Sequence, residues 1–233
     1  MKKIIFAALA LFSMLAGYSQ SGDKNLQTRP VSGFTGVDVS GGIDLYLSSG
    51  PESVAITASS TEIRDHIITE VVGGVLRIHL ENNSDHSWGN PKMKAYVSVK
   101  NLKSLEASGG GDIYLQGLIS TNDLSVRLSG GGNIEGKLNA NHLDIEQSGG
   151  SNVKLTGNVK EINVDASGGG NLKGYDLITD VASIHSSGGS DAELTVNKEL
   201  RVESSGGSDV RYKGRAVVIS VNSSGGGSLT HKD

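Results

Sequence analysis

The side chains best placed for chemistry in this sequence are carboxylates and amides that recur in series. Asp112, Asn133, Asn152, Asn171, Asp191, Asp209 and Ser228 each follow directly on a tetrad, Ser-Gly-Gly-Gly or Ser-Gly-Gly-Ser. If the tetrads stack, these side chains align into a polar ladder on one edge. Two readings of that ladder stay open. In one, Asp112, Asn133, Asn152 and Asn171 offer hydrogen bonds to a ligand. In the other they bond their own or neighbouring backbone, as Asn and Asp in turns commonly do. Asp191 and Asp209 add a sharper expectation, because two carboxylates one repeat apart repel unless a proton or a cation such as calcium lies between them. The nonapeptide calcium-binding repeat is a poor match, since its motif recurs at half this period.

A second candidate is Trp88, the only tryptophan, which lies with His86 in the polar run Asn82 to Asn90. An indole among polar loop residues can stack on a sugar ring or anchor a partner surface. It can equally fold back to cover the end of a core. Asp144, Glu146 and Asp165 imitate the acidic face of β-helix enzymes that cleave polysaccharides, and they are equally well explained as the solvated side of alternating strands.

Other chemistries find no support. The six histidines (His66, His79, His86, His142, His185, His231) share no spacing, and neither H-x-x-x-H nor H-E-x-x-H occurs. The serines sit in glycine-rich turns and none forms a G-x-S-x-G elbow. The glycine runs lack the Lys-Ser/Thr that a phosphate loop needs. With no cysteine, disulfides, thiol nucleophiles and cysteine-based zinc sites are excluded.

The element that must position the ladder is the tetrad itself. Copies begin at Ser108, Ser129, Ser148, Ser167, Ser187, Ser205 and Ser224, at intervals of 21, 19, 19, 20, 18 and 19 residues, with an early copy at Ser40-Gly41-Gly42-Ile43. A period of this size marks a solenoid whose coils bury their apolar faces only against one another. Offsets from the tetrad support it. Four residues before the first glycine stand Val37, Leu105, Val126, Ile145, Val164, Ile184, Val202 and Val221, all aliphatic. Six before it, the later copies read Lys103, Leu124, Leu143, Ile162, Ala182, Leu200 and Ile219. Just after the ladder come Ile113, Ile134, Val153, Leu172, Ala192, Val210 and Leu229. The pattern predicts an all-β fold, a parallel β-solenoid with coils of about 19 residues, each with one corner at the tetrad. The second corner is expected near Gly117, Gly136-Lys137, Gly157-Asn158 and Gly174.

The rest of the chain fits one domain. Met1-Lys2-Lys3 followed by the apolar run Ile4 to Ala16 reads as a signal peptide over 1–19, cleaved near Ser19. Its apolar run is too short for an ordinary membrane span, and no cysteine follows it to take a lipid anchor. Removing it takes away Lys2 and Lys3, leaving 19 basic against 25 acidic residues and a formal charge of −6. Such a chain has no basic stripe for nucleic acid or an anionic membrane. Residues 20–32 are polar and aperiodic, a flexible leader, and 33–233 form the domain. Its N-terminal part holds alternating strands around the first tetrad. A short helix is expected over Thr61 to Ile68, then a hairpin turning at Gly73-Gly74.

The early V-x-V-S-G-G-I-D-L-x-L, the Gly73-Gly74 hairpin and the serial S-G-G-[GS]-[DN] repeats resemble the head GIN domain family of adhesins, found largely in exported proteins of Bacteroidetes. The resemblance covers about residues 33–229. It implies an extracytoplasmic β-helical or β-sandwich-like domain, adhesive by the family's label. Because the sequence runs only to Asp233, no membrane barrel is expected behind the last tetrad. The expected role is therefore an exported, non-catalytic adhesin or scaffold that meets carbohydrate or protein at the periplasm or cell surface. A polysaccharide-active β-helix enzyme and an envelope protein-interaction or signalling module are the alternatives. An enzyme would show unlike acids and bases breaking the repeat locally, whereas this register holds throughout.

Overall fold

A computed structural model describes residues 23–81, 89 and 91–233. The predicted signal peptide, and Trp88 and His86, lie outside the described residues. The elements, in chain order, are β1 (Gln27–Arg29), β2 (Gly36–Ser40), β3 (Asp44–Ser49), β4 (Ser53–Ala58), α1 (Thr61–Asp65), β5 (Ile67–Val72), β6 (Val75–Leu80) and β7 (Met93–Val99). There follow β8 (Ser104–Gly109), β9 (Ile113–Ser120), β10 (Asp123–Gly130), β11 (Asn133–Gly149), β12 (Asn152–Gly168), β13 (Asn171–Gly188), β14 (Asp191–Ser204), β15 (Asp209–Lys213), β16 (Val217–Ser223) and β17 (Ser228–His231). Together they form a parallel β-solenoid of about seven turns with coils of about 19 residues.

Each coil has two legs that meet at the tetrad. The leg before the tetrad stacks in the order β5-β6-β2-β8-β10, then through the second halves of β11, β12, β13 and β14 to β16. The leg after the tetrad stacks β1-β4-β7-β3-β9, then through the first halves of β11 to β14 to β15 and β17. All ladders are parallel except those of β1, β4 and β5, which close the N-terminal end in antiparallel fashion. The β2–β3 coil is not outermost: it lies between the coil made by β6 and β7 and the coil made by β8 and β9.

The column four residues before the first glycine points inward as predicted as far as Val202, and its last member, Val221, is exposed. Val37, Leu105, Val126, Ile145, Val164, Ile184 and Val202 are all 0–2% exposed. Lys103 breaks its column as expected, and its neighbour Leu102 is buried instead. Ile219 was expected inward but is exposed. The ladder slips between Leu200 and Arg201, so that Val218 pairs with Leu200 and Ser220 with Arg201.

The second corner differs from expectation. In β11 the buried residues are Ile134, Leu138 and Ala140, then Leu143, Ile145 and Gln147, so alternation changes parity between Ala140 and Leu143. In β12 the same change falls between Val159 and Ile162. The bend lies there, inside a strand whose ladder runs on through it. Gly136, Gly157 and Gly174 instead mark register shifts within one leg. A Cβ on Gly157 would sit 2.1 Å from the Leu138 carbonyl oxygen, so this glycine permits close approach of coils rather than a turn.

At the tetrad the glycines do make the corner. The first glycine has positive φ in every copy, for example +100° at Gly130 and +91° at Gly149. A Cβ on Gly149 would lie 2.6 Å from the Gly130 carbonyl oxygen of the coil before. That same oxygen accepts a 2.9 Å bond from the Gly150 N–H, and the equivalent bond recurs at Gly131, Gly169, Gly189, Gly207 and Gly226. At Gly110, Gly131, Gly150 and Gly169 the second glycine has open space where a Cβ would go, whereas at Gly226 a Cβ would lie 3.2 Å from the Gly206 carbonyl oxygen.

The N-terminal region forms largely as predicted. Helix α1 is one short turn, capped by Ser60, whose Oγ accepts from the Ile63 N–H at 3.2 Å. It buries Ile63, and Ile67 already belongs to β5. Gly73 and Gly74, at φ +60° and +80°, suit the turn that joins β5 to β6. The leader differs from the flexible reading. Gln27–Arg29 pair with β4, Asp23 accepts a 2.7 Å bond from Thr57, and Arg29 donates to the carbonyls of Arg64 and Ile67. A short polar segment gains order here because it satisfies an otherwise open strand edge.

The two glycines of one tetrad predict opposite outcomes. Gly149→Ala must strain a left-handed residue and displace a carbonyl, a cost of about 2 kcal/mol or more, read as a lower melting temperature by circular dichroism. Gly150→Ala meets neither obstacle and leaves the melting temperature close to wild type. Equal destabilisation by both would refute this account of the corner.

Candidate functional site

Strand alternation sends the residues two after each ladder position to the same outward face. The ladder row runs Lys94, Asp44, Asp112, Asn133, Asn152, Asn171, Asp191, Asp209, Ser228. Beside it runs Tyr96, Tyr46, Tyr114, Glu135, Lys154, Lys173, Glu193, Arg211, Thr230. All the predicted ligand residues outside the Trp88 run therefore share one surface.

The ladder bonds mostly to itself. Asn133 donates its Nδ2 to Asp112 Oδ1 at 2.7 Å, Asn152 to Asn133 Oδ1 at 2.7 Å, and Asn171 to Asn152 Oδ1 at 2.9 Å. Asp112 also accepts from the main-chain N–H of Asn133 at 3.0 Å. The tetrad serines bond less regularly. Ser167 donates to the Gln147 carbonyl at 3.3 Å, while Ser190 and Ser208, at the fourth position, are fully buried and donate to main-chain carbonyls at the corner.

Asp191 and Asp209 face each other as expected, and Arg211 sits against both. Its Nη2 donates to Asp209 Oδ2 at 2.8 Å and its Nη1 to Asp191 Oδ2 at 3.4 Å. Burial pulls the Arg211 pKa down. The hydrogen bond to Asp191 and the charges of Asp191, Asp209 and Glu193 outweigh it, leaving the guanidinium above its usual value. Among the described residues no group of three or more His, Asp or Glu side chains converges as a metal site.

At the N-terminal end of this face lies a feature that the repeat did not reveal. Tyr46 stacks between Tyr96 and Tyr114, with ring centroids 5.1 and 4.9 Å away and planes tilted by 26° and 21°. The chain has only six tyrosines, three phenylalanines and one tryptophan, and this column gathers three of them outside the core. Lys94 Nζ lies 5.5 Å from the Tyr46 ring centre. The Tyr114 hydroxyl donates to Asp112 Oδ2 at 3.3 Å. Burial, followed by the Asp112 charge, raises the Tyr114 pKa, so the phenol stays a neutral donor. The signal was available as Asp44-x-Tyr46, Lys94-x-Tyr96 and Asp112-x-Tyr114, but only alignment by coil brings the three together.

The other leg carries a charged column: Asp38, Glu106, Arg127, Glu146, Asp165, His185, Glu203. Arg127 reaches Glu146 at 3.0 Å and Glu106 at 3.3 Å, and His185 meets Glu203 at 2.6 Å. Asp38 is raised above the usual carboxylate range by burial first and then by Glu106. A shallow groove of about 500 Å3 runs along Glu106, Arg127, Glu146 and Asp165. Of the three acids that imitated an enzyme face, Glu146 and Asp165 are neighbours in this column and all three line one shallow cleft, but Asp144 and Glu146 are drawn into contacts along the ladder rather than aimed at a common point. Asp144 stands in a separate column, accepting from Asn163 Nδ2 at 2.8 Å, while Glu146 is held by Arg127.

Among the described residues no helix is long and apolar enough to cross a membrane. No curated protein matches the sequence. Solved structures do match the fold. A putative adhesin from Bacteroides fragilis superposes with a TM-score of 0.81 at 21% identity, over 90% of this chain and 98% of that one. A putative lipid binding protein from Parabacteroides distasonis gives 0.68 at 20% identity, and a putative adhesin from Parabacteroides merdae 0.67 at 19%; each match covers 91% of this chain and 98% of the other. These relatives and the matching family model are described as adhesins or a binding protein rather than enzymes, which fits a non-catalytic chain. The model of the family described as "putative auto-transporter adhesin, head GIN domain" matches residues 33–216, and the chain belongs to that family.

Proposed function

We propose that this chain is an exported, non-catalytic adhesin module that binds carbohydrate on the tyrosine face of its solenoid. The observation that carries the reading is the stacked column Tyr96, Tyr46, Tyr114 set beside the row Lys94, Asp44, Asp112, Asn133. Half-buried aromatic rings supply apolar contact for the C–H faces of a sugar, while adjacent carboxylate, amide and ammonium groups hydrogen-bond its hydroxyls. Export rests on the predicted signal peptide, with the mature chain starting at Gln20. Its formal charge of −6 makes neither nucleic acid nor an anionic membrane the favoured partner.

A protein partner is the second reading, favoured by the charged column around Arg127. In this column a rim of paired acids and bases sets specificity more than affinity. A labelled glycan array probed with the purified chain separates the two. Tyr46→Ala and Tyr114→Ala are each expected to weaken the best glycan signal by about tenfold, some 1.4 kcal/mol, while Arg127→Gln leaves it unchanged. Melting temperatures of the same variants separate lost contact from lost stability. A glycan signal insensitive to both tyrosine variants, or no signal on any glycan, ends the carbohydrate reading.

For Asp191 and Asp209 we propose that Arg211, not calcium, is the resident counter-charge. Arg211→Gln then lowers stability by about 1 kcal/mol, as expected for partly exposed pairs, and millimolar calcium restores part of the loss. The wild-type melting temperature stays the same in calcium and in chelator. A clear calcium-induced rise in the wild type would restore the metal reading.

A further inference from the structure

The two ends of the solenoid are finished differently. At the N-terminal end the antiparallel strands β1, β4 and β5 and the helix α1 close the stack, and among its described residues β1, α1 and β5 expose one large apolar side chain, Val72. At the other end β16 pairs with β14 alone and β17 with β15 alone, among the described residues. Val221 occupies the column in which the seven earlier residues are 0–2% exposed, yet it is 45% exposed. Val217, Val218 and Ile219 are 64%, 36% and 50% exposed. An apolar edge strand with unpaired N–H and C=O groups is a template for another strand. Val217–Ser223 carries neither lysine nor proline, and its one irregularity is the extra residue Ile219 where the ladder to β14 slips.

The sequence of that edge identifies its occupant. Neither β16 (Val-Val-Ile-Ser-Val-Asn-Ser) nor β17 (Ser-Leu-Thr-His) contains an acid, a lysine or an arginine. Pairing each strand antiparallel with its own copy about a twofold axis therefore sets no like charges opposite one another. Among its described residues the N-terminal end offers no matching apolar face to act as the counterpart for head-to-tail growth, whereas an isologous contact closes on itself. We infer that the last coil is a docking edge for a second copy of this chain, joined tail to tail through β16 and covering Val217, Val218, Ile219 and Val221. The main-chain ladder supplies the bonds and the four aliphatic side chains the burial.

Sedimentation of the purified chain across a range of concentrations should reveal a monomer–dimer equilibrium. Ile219→Lys, which buries an unpaired charge at the contact, should raise the dissociation constant by at least about tenfold, and Ile219→Val should not. Because the chain has no cysteine, Ser220→Cys is an independent probe. Near the twofold axis it should give a disulfide-linked dimer on mild oxidation, even if Ile219→Lys fails to fold. A monomer at every concentration, open-ended polymers, or a dimer that neither responds to Ile219→Lys nor crosslinks through Ser220→Cys would each overturn the inference.

Discussion

Everything in this solenoid depends on one main-chain contact: the carbonyl of the first tetrad glycine lies where the next coil's first glycine would carry a Cβ, and it accepts the next coil's second N–H. The contact keeps the ladder unbroken around a sharp corner, where a chain would otherwise leave orphaned amides. It also fixes phase. With the corner locked, residues at a given offset from the tetrad must stack on their counterparts, and the aliphatic columns follow.

Like-on-like stacking then dictates which polar residues can sit outside. An amide both donates and accepts, so Asn133, Asn152 and Asn171 extend one another. A carboxylate only accepts. Asp112 can therefore terminate such a run, taking the donors of Asn133, but two carboxylates in succession need help. At Asp191 and Asp209 that help is Arg211, two residues further along the strand on the same face. On the opposite leg Arg127 does the same for Glu106 and Glu146. The acidic columns that suggested catalysis or a metal are thus balanced from within, one coil apart, which leaves the half-buried aromatic column, its rings stacked on one another, as the apolar part of that outward face.

The coil and its inward face were legible because they rest on residues at constant offsets from a glycine. The second corner was not, since the bend at Asn141 and Glu161 is a change of parity among ordinary polar residues, while the conspicuous Gly136 and Gly157 serve close approach. Nor could the order of coils be read. The insertion of β2 and β3 between two later coils depends on which ladder edge stays free, and sequence order does not encode that. The tyrosine column was hidden for the same reason, because Tyr96 stacks on Tyr46 from the far side of the coil that precedes it in the chain. A side chain's neighbours in a solenoid are set by coil order, so a site spread over several coils becomes visible only once that order is known.

Coil energetics also explain why the two ends differ. In a stack whose stability is a sum of coils and nearest-neighbour contacts, an interior coil gains two interfaces and a terminal coil one. The N-terminal end recovers the difference with β1, β4, β5 and α1, including the Arg29 bonds to the carbonyls of Arg64 and Ile67. Among the described residues the last coil has no such cover and keeps Val221 half in water, although the residue beneath it, Val202, is fully buried. That coil is therefore the one whose stability another surface can most increase, and a partner that adds a strand there gains ladder bonds and apolar burial together. The tyrosine face lies near the closed end, so a contact at the open end leaves it clear.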